Sequence, residues 1–162
     1  MGIVLDWDAM GEPIALPRFA GCTVCGDPSV NPKSLDLQCY YQDGVVTATF
    51  TPSDDEAGFP GTIHGGVLTS LLDEVSVWAS SIAADAFCVT RDLRTRYLKP
   101  ARPGVPLSLE ARVSDEDRLI TVEARAVSPE GDVVAQSTGR FYPAFRDEWD
   151  DRVRNRIALD LD

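Results

Sequence analysis

The sequence predicts an α+β domain in which one long helix is covered by a largely antiparallel sheet of five to six strands. Three observations predict it. Asp43-Gly44 separates two strand-like runs in "LDLQCYYQDGVVTATFTP", which is hairpin chemistry. Residues 66–84 repeat apolar side chains at helical spacing. Four further strand-like runs follow, at 87–99, 105–114, 118–127 and 132–142, with no second long helix between them.

Taken in order, residues 1–34 are rich in Pro and Gly and lack a sustained period, so they are expected as an irregular arm with at most a short helix. The folded domain is expected over 35–143. "SDDEAGFPG" reads as an acidic, turn-rich loop before the helix, "SDED" as a turn before Arg118, and "SPEGD" as the hairpin between the last two strands. Residues 144–162 form a charged tail, expected to be helical, with Trp149, Val153 and Ile157 on one stripe.

Composition bounds the function. With 162 residues, 44% hydrophobic and 25% charged, the chain is long enough for one well-buried core. A formal net charge of −11 disfavours nucleic acid and anionic membrane as partners. No signal peptide is evident, and no apolar stretch is read as approaching the ~20 residues needed to span a bilayer. Four cysteines in a chain of this size, with no other sign of secretion, are expected as reduced thiols in the cytoplasm.

The helix carries the chemistry. Val67, Leu68, Leu71, Leu72, Val75, Trp78, Ala79 and Ile82 fall on one broad stripe, with Thr69, Ser70, Asp73, Ser76 and Ser80 on the other side. That second face is small and mostly uncharged, which suits close approach by a ligand or another chain. At the helix start stand the chain's single histidine, His64, and then Gly65 and Gly66. The first N–H groups of a helix have no intrahelical partner, and glycines leave them open to a ligand oxygen under the positive end of the helix dipole. The bland alternative is a helix start after a turn, or a solvated helix face.

These residues resemble the hotdog-fold acyl-CoA thioesterases of the phenylacetic-acid-pathway type. The resemblance rests on His64-Gly65-Gly66 at the helix mouth, on Asp73 nine residues after the histidine, and on "TRDLRTRYLKP", where Thr90 opens the next strand; it covers about residues 35–143. It implies a hotdog fold and hydrolysis of an acyl-CoA thioester to a free acid and CoA, by a homodimer or dimer of dimers, with CoA entering only as part of the substrate and no cofactor or metal. It further implies that the Gly65 N–H binds the thioester carbonyl and that Asp73, from the partner protomer, acts as base or nucleophile. Thr90 would orient that carboxylate or its water, and His64 would shape the loop. Two points depart from the pattern: position 58 is Gly where relatives often carry Asn or Gln, and strict alternation puts Thr90 on the face opposite Leu93 and Tyr97 unless a bulge intervenes.

Arg91, Arg94, Arg96, Lys99 and Arg102 concentrate basic charge in an otherwise acidic chain. With Gly66, Arg94, Arg96 and Lys99 are candidates for contact with CoA, whose phosphates need such a strip; the alternative for each is a solvated strand face. Cys22 and Cys25 form a CxxC, resembling a CxxCG…NP stretch in some members of the branch. They lack a second CxxC or a histidine pair, so free thiols are expected rather than zinc. Two rival functions remain. One is a non-catalytic acyl-CoA-binding module, which would not need Asp73. The other is a hotdog dehydratase, suggested by "FPG" at 59–61 but lacking that class's histidine and glutamate, whose positions hold Gly58 and Leu71.

Overall fold

The structure, a computed structural model, describes residues 12–149. Its strands are β1 (Ile14–Ala15), β2 (Cys39–Gln42), β3 (Val45–Phe50), β4 (Phe87–Tyr97), β5 (Leu107–Glu116), β6 (Ile120–Val127) and β7 (Val133–Phe145). They form one antiparallel sheet in the order β1-β2-β3-β5-β6-β7-β4, curled around the helix α1 (Gly65–Ala84). This is the hotdog arrangement. A 3-10 turn at Asp54–Glu56, closed by a Ser53/Glu56 capping box, and a short terminal helix α2 (Arg146–Trp149) complete it.

Local chemistry accounts for most of these elements. Asp43 (φ 49°) and Gly44 (φ 80°) both take positive φ, as a two-residue hairpin turn demands, and they set β2 against β3 with Gln42 opposite Val45. On β5, β6 and β7, side chains alternate between core and outside, so that Leu107, Leu109, Ala111, Val122, Ala124, Ser137 and Phe141 line the inner face. Leu68, Leu71, Leu72, Val75 and Trp78 of α1 are buried against them.

Several expectations need correction. The sheet has seven strands: the arm contributes β1, a two-residue strand paired with β2 that carries no pattern of its own. "SDED" is no turn at its start, since β5 runs on to Glu116 and absorbs Ser114 in a bulge opposite β6. β7 extends to Phe145, past the expected domain boundary. The hydroxyl face of α1 is not the plain solvated face of the bland alternative. Ser76 and Ser80 are buried, their Oγ atoms donating to the carbonyls of Leu72 (2.7 Å) and Val77 (2.9 Å), so they need no water. By length and composition α1 is apolar enough to cross a membrane, contrary to the expectation from sequence, but the sheet wraps it.

Of the tail stripe, Trp149 is buried. Its Nε1–H donates to Asp85 Oδ1 at 2.9 Å, and its ring packs edge-on against Phe87 at 5.2 Å. Val153 and Ile157 lie outside the described residues.

Candidate functional site

His64 is the N-cap of α1. Its backbone is extended (φ −61°, ψ 133°), and its Nδ1 accepts the Gly66 N–H at 2.8 Å. The Gly66 donor is therefore occupied within the chain. The Val67 and Leu68 N–H groups return to the His64 carbonyl, while the Gly65 N–H has no hydrogen-bond partner among the described residues. The histidine thus organises the helix start and leaves one donor open beside it.

Tyr97, at the end of β4, clasps that start. Its hydroxyl donates to the Gly65 carbonyl at 3.0 Å and lies 2.6 Å from Thr69 Oγ1, which in turn donates to Thr95 Oγ1 at 3.3 Å. The ring lies so close that a Cβ on residue 65 would stand 3.1 Å from Tyr97 Cζ, which is why glycine fits there. Gly58 is shaped by the same crowding, since a Cβ there would stand 3.2 Å from His64 Cα. The absence of a side chain at position 58 thus allows the histidine to pack closely there. Sequence reasoning missed Tyr97 and Thr69 as site residues, although the tyrosine was part of the "TRDLRTRYLKP" pattern.

These groups open onto a cleft of about 670 Å³. Gly65, His64 and Gly58 form its polar end; Phe59, Ile63, Leu68, Leu98, Pro100 and Ala101 supply apolar wall. Lys99 stands at its rim, paired with Asp132 at 2.7 Å. Arg94 and Arg96 do not reach it. They project from the outer face of the sheet beside Gln136 and Thr138, the far side from α1.

Asp73 lies two turns along α1 from Gly65, about 12 Å at 1.5 Å per residue. It is half-buried, and Thr90 Oγ1–H donates to its Oδ1 at 2.8 Å. Burial pushes its carboxyl above the ordinary aspartate value, and the threonine hydroxyl pulls it partly back. It forms no ion pair among the described residues. Thr90 reaches it because β4 slips register against β7 between Thr90 and Asp92. The bulge at Arg91 reverses the alternation, so that Thr90, opposite Phe141, shares the inner face with Leu93, opposite Gly139. Both Asp73 and Thr90 border the outer edge of β4, which no other strand among the described residues covers.

Behind Asp73, the next residue of α1 meets the N-terminal arm. The Glu74 carboxylate lies against Cys22 and Cys25, and burial raises it to about 7. Mutual hydrogen bonding within the cysteine pair pulls Cys22 down to about 5 and, together with burial, pushes Cys25 up. All four cysteines are free thiols.

Residues 60–135, which run from the loop before α1 into β7, match the family model of the Thioesterase superfamily. Comparison with curated proteins finds no match. Among solved structures, a thioesterase superfamily protein from Shewanella loihica PV-4 is 28% identical, with 67% of this chain and 90% of that one covered at a TM-score of 0.58. A hypothetical thioesterase from Streptococcus pneumoniae TIGR4, crystallised with coenzyme A, is 23% identical over 64% of this chain and 83% of that one, with a TM-score of 0.60. Aspartate-to-alanine and threonine-to-alanine variants of the pneumococcal protein match as well. The E. coli PaaI protein of the phenylacetic acid degradation operon is 20% identical over 68% of this chain and 80% of that one, with a TM-score of 0.63.

Proposed function

We propose that this protein is an acyl-CoA thioesterase whose active site is completed by a second copy of the chain. One observation carries the reading. A half-buried carboxylate, held by a single hydroxyl and engaged in no ion pair among the described residues, lies on the same helix as an N–H that has no partner among them, at the mouth of an apolar cleft. The two groups are about 12 Å apart along α1, too far for one thioester to touch both within one chain. The free edge of β4, eleven residues long and largely exposed, supports pairing with a second copy beside Asp73 and Thr90. In such a homodimer, or a dimer of dimers built from it, each cleft receives its carboxylate from the partner.

The chemistry follows from those groups. The thioester carbonyl oxygen accepts the Gly65 N–H, with the α1 dipole behind it, and gains most from that donor as negative charge develops in the tetrahedral state. Asp73 takes a proton from water as the water oxygen attacks the carbonyl carbon; direct attack by the carboxylate is the covalent variant of the same geometry. The C–S bond then breaks, the thiolate of CoA leaves and recovers a proton, and the free acid departs. Thr90 fixes the carboxylate's orientation. Lys99, at the rim, is the cation best placed for a CoA phosphate. The coenzyme A held by the pneumococcal structure supports this substrate class.

Asp73→Asn tests the reading. It keeps shape and the threonine contact but cannot accept the proton. CoA release from acyl-CoA should fall by at least about 10²-fold, while acyl-CoA binding and the oligomeric state are retained. Turnover at the wild-type rate would place the base elsewhere.

A further inference from the structure

The arm that precedes β2 folds into a tight loop that thioester hydrolysis does not use. Across residues 19–26 the Cys22 N–H donates to the Phe19 carbonyl at 2.8 Å and the Gly26 N–H to the Cys22 carbonyl at 3.1 Å. The Cys22 sulfur accepts the N–H groups of Val24 (3.3 Å) and Cys25 (3.4 Å). The turn is so tight that a Cβ on Gly26 would lie 2.1 Å from the Cys22 carbonyl oxygen. Backbone N–H groups converging on one sulfur stabilise it as thiolate.

The loop presents both sulfurs to Glu74 of α1. Cys22 Sγ lies 4.0 Å from Glu74 Oε2, and the two Sγ atoms and a glutamate oxygen all fall within 4.8 Å of one another. Among the described residues, no lysine, arginine or histidine is hydrogen-bonded or ion-paired to these three side chains. Arg18, the nearest cation in sequence, spends its guanidinium on the carbonyls of Cys25 and Gly26 and on Asp36. Three donors that each bind metal as anions thus converge, largely out of solvent, with no cation among them.

We propose that Cys22, Cys25 and Glu74 bind one Zn²⁺ ion, which cross-links the N-terminal arm to α1. With Zn–S near 2.3 Å and Zn–O near 2.0 Å, a tetrahedral S–Zn–O edge is about 3.5 Å. The observed 4.0 Å closes to that value by a movement of about 0.5 Å at the end of a flexible glutamate. Thiolates select Zn²⁺ over Mg²⁺ and Ca²⁺. Binding releases to solvent whatever protons the three donors still hold, and the fourth position of the tetrahedron is left to a water molecule. In the sequence the pair lacks a second CxxC or a histidine pair, which points to free thiols; the third donor comes from a helix some fifty residues on, which the fold brings alongside.

The test uses the full chain, purified under reductant, stripped with chelator, and titrated with ZnCl₂ and separately with CoCl₂. The expected result has three parts. One equivalent binds per chain, and Co²⁺ gives a tetrahedral spectrum with a thiolate charge-transfer band. Two of the four thiols become protected from a thiol reagent. At 100-fold excess over Kd, the thermal midpoint rises by about 5–10 °C. Glu74→Gln, which preserves packing, should weaken binding at least about tenfold, and Cys25→Ser likewise, whereas Cys88→Ala, near Ser81 in another part of the fold, should not. The proposal is overturned if the reduced chain takes up no Zn²⁺, if Co²⁺ shows no charge-transfer band, or if Glu74→Gln binds as tightly as the wild type. It is equally overturned if Cys22 and Cys25 close to a disulfide in air at a rate that Zn²⁺ does not alter, since the pair is then a redox dithiol.

Discussion

Replacing Gly65 with alanine separates the two things that residue does. An added Cβ would lie 3.1 Å from Tyr97 Cζ, 3.2 Å from its Cε1 and 3.3 Å from its hydroxyl, each a few tenths of an ångström too close. The ring is 53% exposed, so it can swing outward, but doing so loosens its bonds to the Gly65 carbonyl and Thr69. For folding, two effects oppose each other. Alanine gains about 0.5–1 kcal/mol over glycine in a helix, and the crowding costs about 1 kcal/mol, the low end of overpacking, because the neighbour is mobile. Stability should therefore change by less than about 1 kcal/mol. Activity should not be spared, because the methyl stands beside the N–H that receives the carbonyl. Complete loss of such a donor costs about 10²–10³ in kcat. Partial displacement should cost about 10–100-fold in kcat/KM, read by thiol release from an acyl-CoA panel alongside a thermal melt. A variant with wild-type kcat/KM and an intact melt would refute the placement of the thioester at this helix start.

The remaining predictions concern the carboxylate and the cations. A general base works ionised, so kcat/KM should rise with pH through the Asp73 pKa, and burial places that acidic limb above the ordinary aspartate range. Thr90→Ala removes the hydroxyl that lowers it, so the limb should move further up and turnover should fall by less than in Asp73→Asn, as a pH–rate profile will show. Because native Asp73 holds its proton more tightly than the unfolded chain does, its contribution to stability should decline as pH rises from the unfolded pKa to the folded one. Lys99→Ala should raise KM for acyl-CoA by several-fold with little change in kcat, whereas the Arg94→Ala/Arg96→Ala pair, on the outer sheet face, should leave both unchanged in initial-rate assays.

Where a local rule determined the outcome, the sequence was legible. Asp43-Gly44 closes the hairpin because both residues adopt positive φ, and the apolar stripe of α1 faces the sheet as its period requires. The candidate pair of Asp73 and Thr90 could be named from the resemblance, and the conflict in strand parity could be seen; the bulge at Arg91 resolves it. What alternation alone could not show was set by contacts between distant segments. Ile14-Ala15 is a strand only because β2 offers an edge, and β5 continues through "SDED" because β6 tolerates a bulge there. Ser76 and Ser80 look solvated until their bonds to the helix's own carbonyls are counted. The basic strip divides: Arg94 and Arg96 lie on the outer face of β4, whereas Lys99 follows the end of that strand and meets the cleft.

The central helix imposes an order on synthesis. Its apolar face is covered mainly by β4 to β7, all of which lie downstream of it in the chain. At about 5–20 residues per second, the ribosome needs about 3–12 s to make the strands that hide it. Throughout that interval a nascent segment greasy enough to lodge in a bilayer has, among the described residues, only the N-terminal arm and the first hairpin to lean on. Chains truncated within β5 or β6 should accordingly be sticky, insoluble products rather than smaller folded units.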